Sequence, residues 1–208
     1  MIRAIVSDFG GVLTTPLIEG FLAYQEQSGV TPEDLGRAMA RAQEQHGEHP
    51  LFQLERGEIS EEEFGRRLDD ALPDGFELRH LREVYFERLH PNEPMIAYMR
   101  ELRGRGLRMA LCTNNVREWE PLWREKLPEL EEIFEVVVDS GFVGSRKPER
   151  RIYELTLERL GGGLGFEDCL LIDDVGVNCD GAVALGMEAV RFEDTEQAIA
   201  AIEAALGQ

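Results

Sequence analysis

Positive charge is what this sequence has least of. Its 208 residues carry 22 Lys and Arg against 41 Asp and Glu, a formal net charge of -19. A field of that sign repels phosphate backbones and anionic lipid surfaces, so neither nucleic acid nor a membrane is an expected partner. A small anionic substrate would need a local reversal of sign, from a cation, a lysine or helix N-termini inside a cleft. Cysteine is also scarce. Cys112, Cys169 and Cys179 are odd in number, lie in or beside apolar segments and lack CxxC or Cys/His spacing. That excludes a disulfide framework and points to buried free thiols in a reducing, cytoplasmic compartment. No apolar run approaches the ~20 residues that span a bilayer. The N-terminal run MIRAIV reaches Asp8 too soon for a signal peptide.

Four short apolar runs are present, at 3–9 (RAIVSDF), 107–114 (LRMALCTN), 135–140 (EVVVDS) and 168–174 (DCLLIDD). They are near-continuous rather than alternating, as strands covered on both faces are. Helical patterns at 93–105, 117–127, 148–160, 178–186 and 194–206 lie between and after them, and MEAVRF reads as an edge strand. This alternation predicts an α/β fold with a doubly wound parallel sheet. Residues 16–90 interrupt it with helical patterns and no convincing strand. Thr31 before Pro32 reads as an N-cap with proline in the first helical position, and Ser60 with Glu63 as a capping box. The expected organisation is a core of residues 1–15 and 91–208 with a helical cap at 16–90. Such a cap would lie over the carboxyl edge of the sheet, where open α/β sheets bind ligands.

Asp8, Thr113 and the pair Asp173 and Asp174 end predicted parallel strands, and Lys147 follows another in the loop GSRKPE. A shared rim would gather carboxylates, a hydroxyl and a lysine in one crevice able to hold a divalent cation, a set suited to phosphoryl transfer. Singly, each residue is a commonplace: a strand-end aspartate caps a turn, and a lysine before proline sits in a solvated loop. Their joint order is what carries information. His46, His49, His80 and His90 have no ligand spacing, EISEEEF reads as the exposed start of a helix, and Trp119 and Trp123, one turn apart, read as packing residues.

In order along the chain, DFGGVLT, LCTNN, SRKP and LIDDVGVN resemble the four motifs of the haloacid dehalogenase-like hydrolase superfamily. The pattern is similar to that of the soluble epoxide hydrolase N-terminal phosphatase and glucose-1-phosphatase types. The resemblance implies a Mg2+-dependent phosphatase acting on a small phosphorylated metabolite, as a monomer or homodimer. It further implies that Asp8 is the nucleophile that becomes an aspartyl phosphate. Thr113 and Asn114 would bind the phosphoryl group, and Lys147 would neutralise charge on it. Asp174, Asp8 and the Gly10 carbonyl would hold Mg2+, with Asp173 and Asn178 in support.

One position departs from the pattern. Typical phosphatases of the superfamily have a second aspartate two residues after the nucleophile, as general acid and base, and Gly10 stands there. Phosphate esters with good leaving groups need that acid least. Two rival readings tolerate glycine here: a 2-haloacid dehalogenase, in which halide leaves without an acid, and a non-catalytic binding module of the same fold.

Overall fold

The computed structural model describes residues 1–72, 78 and 80–207. Its centre is a parallel sheet of five strands: β1 (Ala4–Ser7), β2 (Arg108–Thr113), β3 (Val136–Asp139), β4 (Cys169–Asp173) and β5 (Glu188–Arg191). The strand order is β3-β2-β1-β4-β5, so β1 lies at the centre. Parallel registers pair Ser7 with Leu111 and Ile172, and Thr113 with Asp139. The strand exits therefore share one rim.

Helices cover both faces, which is why the strand sequences are continuously apolar. Ile5, Met109, Leu111, Leu170 and Ile172 pack to one side with α6 (Glu93–Gly104) and α12 (Thr195–Leu206). Ala4, Val6, Ala110, Cys112 and Leu171 pack to the other with α10 (Arg150–Leu160) and α11 (Gly176–Ala184). Successive residues of a strand point to opposite faces, so each run feeds two cores at once. The α/β expectation holds, and the three cysteines are buried and unpaired. Burial pushes all three thiols up, to about 11 for Cys112 and Cys179 and about 12 for Cys169. Among the described residues no helix is long and apolar enough to cross a membrane.

Among the described residues, five helices lie between β1 and α6: α1 (Leu17–Ser28), α2 (Pro32–His46), α3 (Pro50–Glu55), α4 (Glu61–Asp69) and α5 (Leu81–Arg88). Where the chain enters and leaves this insertion, Thr14 pairs with Pro91 in an isolated antiparallel bridge. Flanking hydrogen bonds run from Thr15 N to His90 O and from Asn92 N to Leu13 O, each 2.8 Å. The inserted helices bury a cluster of their own, including Tyr24, Leu35, Leu54, Phe64, Leu68 and Val84. Thr31 caps α2 in a full reciprocal box with Asp34. Ser60 does only half of what its spacing predicts: it accepts from Glu63 N, while the Glu63 carboxylate turns to Arg66 and Arg67. Two guanidinium partners outcompete one backbone N–H.

The helix expected over 117–127 is also shorter. A 3₁₀ turn at Arg117–Trp119 precedes α7 (Glu120–Arg124), with Pro121 in the first turn of α7. Pro121 lacks an N–H and its ring would clash with the carbonyl four residues back, so one continuous helix cannot run through it. Two further short helices, α8 (Leu130–Ile133) and α9 (Ser140–Val143), flank β3.

Candidate active site

The rim gathers the expected residues around one buried ammonium group. Lys147 Nζ lies 2.9 Å from Asp8 Oδ1 and 2.6 Å from Asp173 Oδ2, with no exposed lysine surface. Its backbone is clasped by Asn114, whose side chain accepts from Lys147 N at 2.7 Å and donates to Lys147 O at 3.0 Å. Asn114 follows β2 and so ties the lysine loop to the rim. Asp173 spends its remaining lone pairs on Val175 N at 2.9 Å and Asn178 Nδ2 at 3.0 and 3.2 Å. Asn178 is in turn anchored through its carbonyl, which accepts from the buried Tyr153 hydroxyl at 2.8 Å. Phe9 N donates to Asp8 Oδ1 at 2.7 Å. Thr113 is buried at the end of β2.

Asp174 differs from Asp173. Its Oδ1 is buried and has no hydrogen-bond partner. Gly11, in the left-handed region at φ +77, passes so close that a Cβ there would sit 2.3 Å from Asp174 Oδ2. Only glycine meets both demands. Gly10 is different: its backbone is outside the left-handed region, and a Cβ would meet the Leu17 side chain, at 2.9 Å from Cδ2. Leu17, the first residue of α1, thus fills the space into which a side chain at position 10 would project.

Oxygens of Asp8, Asp173 and Asp174 all lie within 4.8 Å of one another. Three carboxylates against one lysine leave excess negative charge in a buried space. Burial, with Asp173 and Asp174 adding to it against the pull of Lys147, pushes the Asp8 carboxyl up to about 8. Burial and Asp173 also raise Asp174. At Lys147 burial opposes the charge, but Asp173 and Asp8 outweigh it and hold the ammonium above its ordinary range. Hard oxygen donors, a buried carboxylate oxygen without a partner and uncompensated negative charge fit a hard divalent cation.

Lys147→Ala should therefore cost more than a contact. Removing the cation that bridges these buried carboxylates should lower stability by about 3 to 5 kcal/mol. Urea unfolding of both proteins in chelator measures this, and equal midpoints would refute it.

From Gly10 and Thr113 a cavity of about 480 Å³ opens between the sheet rim and the inserted helices. The reading of EISEEEF as the exposed start of a helix does not hold for its last residue: Phe64 is buried and lines this cavity, as does Leu68 one turn further along α4. Trp123 packs on Phe9 with ring centroids 5.2 Å apart, and Trp119 packs on Tyr85 and Phe86. Both tryptophans also line the cavity. No sequence motif marks Leu17, Tyr85 or the 2.5 Å ion pair between Glu55 of α3 and Arg146. The histidines stay outside the cluster, with His49 stacked on Phe52.

The structure thus has a parallel α/β core with a lysine-bridged carboxylate cluster at its strand exits, beneath inserted helices. The chain belongs to the haloacid dehalogenase-like hydrolases, whose family model matches residues 2–186. Rat bifunctional epoxide hydrolase 2 is 26% identical over 99% of this chain, which spans only 39% of that protein. The sesquiterpene phosphatase astK of Aspergillus oryzae is 26% identical over 93% of this chain and 91% of its own length. A family enzyme from Bacteroides thetaiotaomicron, solved with magnesium and inorganic phosphate, superposes with a TM-score of 0.65 at 20% identity, covering 91% of this chain and 93% of that one.

Proposed function

We propose that this hydrolase is a Mg2+-dependent phosphatase of small phosphorylated metabolites, working through an aspartyl phosphate on Asp8 and favouring good leaving groups. The observation that carries the reading is the buried Lys147 bridging Asp8 and Asp173 beside an unpartnered Asp174 oxygen. Phosphatases among the chain's full-length relatives support the reaction type. Residues 16–90 act as the cap and the remainder as the core.

In the first step an Asp8 oxygen attacks phosphorus, and the bond to the leaving oxygen breaks. Lys147, fixed by Asn114, faces the charge that collects on the transferring group. The Thr113 hydroxyl and the backbone N–H of Asn114, whose side chain is engaged with Lys147, bind its oxygens. In the second step water attacks the acyl phosphate, inorganic phosphate departs and the Asp8 carboxylate is restored. Asp8, Asp174 and the Gly10 carbonyl would hold Mg2+, with Asp173 and Asn178 setting their orientation. Bound there, the ion would neutralise phosphoryl charge. The direct test is a panel of phosphate monoesters assayed with Mg2+ and with chelator, beside halide release from 2-chloropropionate. The dehalogenase reading is the weaker one, because a haloacid carboxylate needs a free cation. Among the described residues lining the cavity, Arg82 is the sole arginine, and it pairs with Glu61 at 2.8 Å and Glu83 at 3.6 Å.

The cation site carries two further expectations. Burial holds the Asp8 carboxyl of the cation-free protein up to about 8, so a proton and a bound cation compete for it near neutral pH. Binding Mg2+ should then release protons, and affinity should rise with pH toward 8 before levelling off. Calorimetric titrations in buffers of different ionisation enthalpy would show this, and an affinity flat from pH 6 to 8 would contradict it. Asp174→Ala should weaken Mg2+ binding by more than about tenfold, since even residues that only support ligands cost that much. An unchanged titration would remove Asp174 from the ligand set.

A further inference from the structure

We propose that the cavity between the sheet rim and the inserted helices is a binding compartment for an apolar leaving group, so that the substrate is a phosphate monoester of an elongated, uncharged alcohol or phenol. The inference rests on the phosphatase reading and names its substrate class.

One end of the cavity is formed by Gly10 and Thr113, at the carboxylate cluster, so a phosphoryl group held there directs its ester oxygen into the cavity. Most of the wall beyond is apolar. Leu17 occupies the space next to Gly10, and Phe21, Leu35, Met39, Phe64 and Leu68 continue the lining through α1, α2 and α4. A volume of about 480 Å³ suits a drug-sized molecule. The described charged groups around it offer no free guanidinium to a second anion on the substrate. Among them are four glutamates, of which Glu55 pairs with Arg146 and Glu61 and Glu83 share Arg82. A phosphorylated amino acid, a bisphosphate or a phosphorylated sugar acid would meet repulsion or leave its polar groups unpaired against leucine and phenylalanine.

A series of 4-alkylphenyl phosphates tests this with the leaving oxygen held constant. With Mg2+ present, kcat/KM should rise by about threefold to fourfold per added methylene until the cavity is full. Gly65 provides the complementary variant. It lines the cavity one turn before Leu68 on α4, and a Cβ there meets nothing within 4 Å. Gly65→Phe should fill the compartment and flatten the chain-length dependence, and Gly65→Ala should keep the slope. Met39→Trp, from α2, should act like Gly65→Phe. Butyl- and octylphosphonate, which are not cleaved, give a readout independent of turnover. The octyl compound should bind more tightly and with a more negative heat-capacity change. Equal kcat/KM along the series, a slope unaltered by both filling variants, or equal binding of the two phosphonates would each overturn the proposal. Failure of every phosphate ester to be hydrolysed, with octylphosphonate still preferred, would instead overturn the phosphatase reading and leave the compartment standing.

Discussion

Asp8→Asn is expected to abolish turnover of every phosphate ester, lowering kcat by about 10⁴-fold or more, while leaving the protein folded. An amide oxygen is a poor nucleophile toward phosphorus, and losing the covalent intermediate merges two manageable steps into one difficult one. The fold should survive because Asn is isosteric and its Oδ1 can still accept from Phe9 N and Lys147 Nζ, which now lie 2.7 and 2.9 Å from Asp8 Oδ1. The sign of the stability change is itself a check. A folded-state carboxyl raised to about 8 from 3.8 favours the neutral form. Asp8 therefore makes the native cation-free protein lose stability as pH rises from about 4 through 8, and the variant, neutral at that position, should lose less over the same range. In chelator at pH 8 the variant should melt at or above the native temperature; in Mg2+ the order should reverse, because the variant binds the ion less well. Acid-quenched native enzyme should carry label from a ³²P-phosphate ester, and the Asn variant none. Undiminished turnover by Asp8→Asn would remove the nucleophile assignment.

The sheet was legible because burial on both faces leaves a simple mark. Ile5 feeds one core while Ala4 and Val6 feed the other, so no polar residue appears before Ser7, where the strand ends. Given parallel strands, the placing of Asp8, Thr113 and Asp173 at one rim followed from topology alone, and their mutual distances then follow from the register of β1 with β2 and β4. What lay outside the sequence's reach is packing between segments far apart in the chain. Leu35, Met39, Phe64 and Leu68 have the spacing of any amphipathic helix, and nothing in that spacing separates a closed core from a cavity wall. The Glu55–Arg146 pair joins residues with |i−j| = 91. Glu63 was legible as a capping partner for Ser60, but the competing guanidinium groups of Arg66 and Arg67 decided otherwise. The docking of Leu17 on Gly10 belongs to the same class of fact, and it alters the meaning of the missing carboxylate.

Restoring that carboxylate is the second large effect expected: Gly10→Asp combined with Leu17→Ala should raise kcat/KM for an alkyl phosphate by about 10²-fold or more, and barely change it for a nitrophenyl phosphate. A positioned general acid contributes about 10² to 10⁴ in rate, in proportion to the charge on the departing oxygen, which is large for an alkoxide and small for a nitrophenolate. The backbone permits the change, because Gly10, unlike Gly11, is not in the left-handed region. The obstacle is the side chain of Leu17, with Cδ2 at 2.9 Å and Cδ1 at 3.3 Å from the new Cβ. Gly10→Asp alone should accordingly give a smaller gain, since the carboxyl must displace Leu17 before it can reach the leaving oxygen. Leu17→Ala alone should leave the alkyl-to-aryl ratio as it is, because it opens space without adding an acid. One other hydroxyl could serve in place of the aspartate, that of Tyr85, which lines the cavity with Gly10. Burial, together with the carboxylates of Asp8 and Asp174, pushes this phenol above its ordinary range, making it a reluctant proton donor at neutral pH. Tyr85→Phe should thus lower both rates alike or neither. A native enzyme that turns over both esters equally, with chemistry shown to be rate-limiting, and that loses only the alkyl ester in Tyr85→Phe, would reverse the argument and make Tyr85 the acid that position 10 lacks.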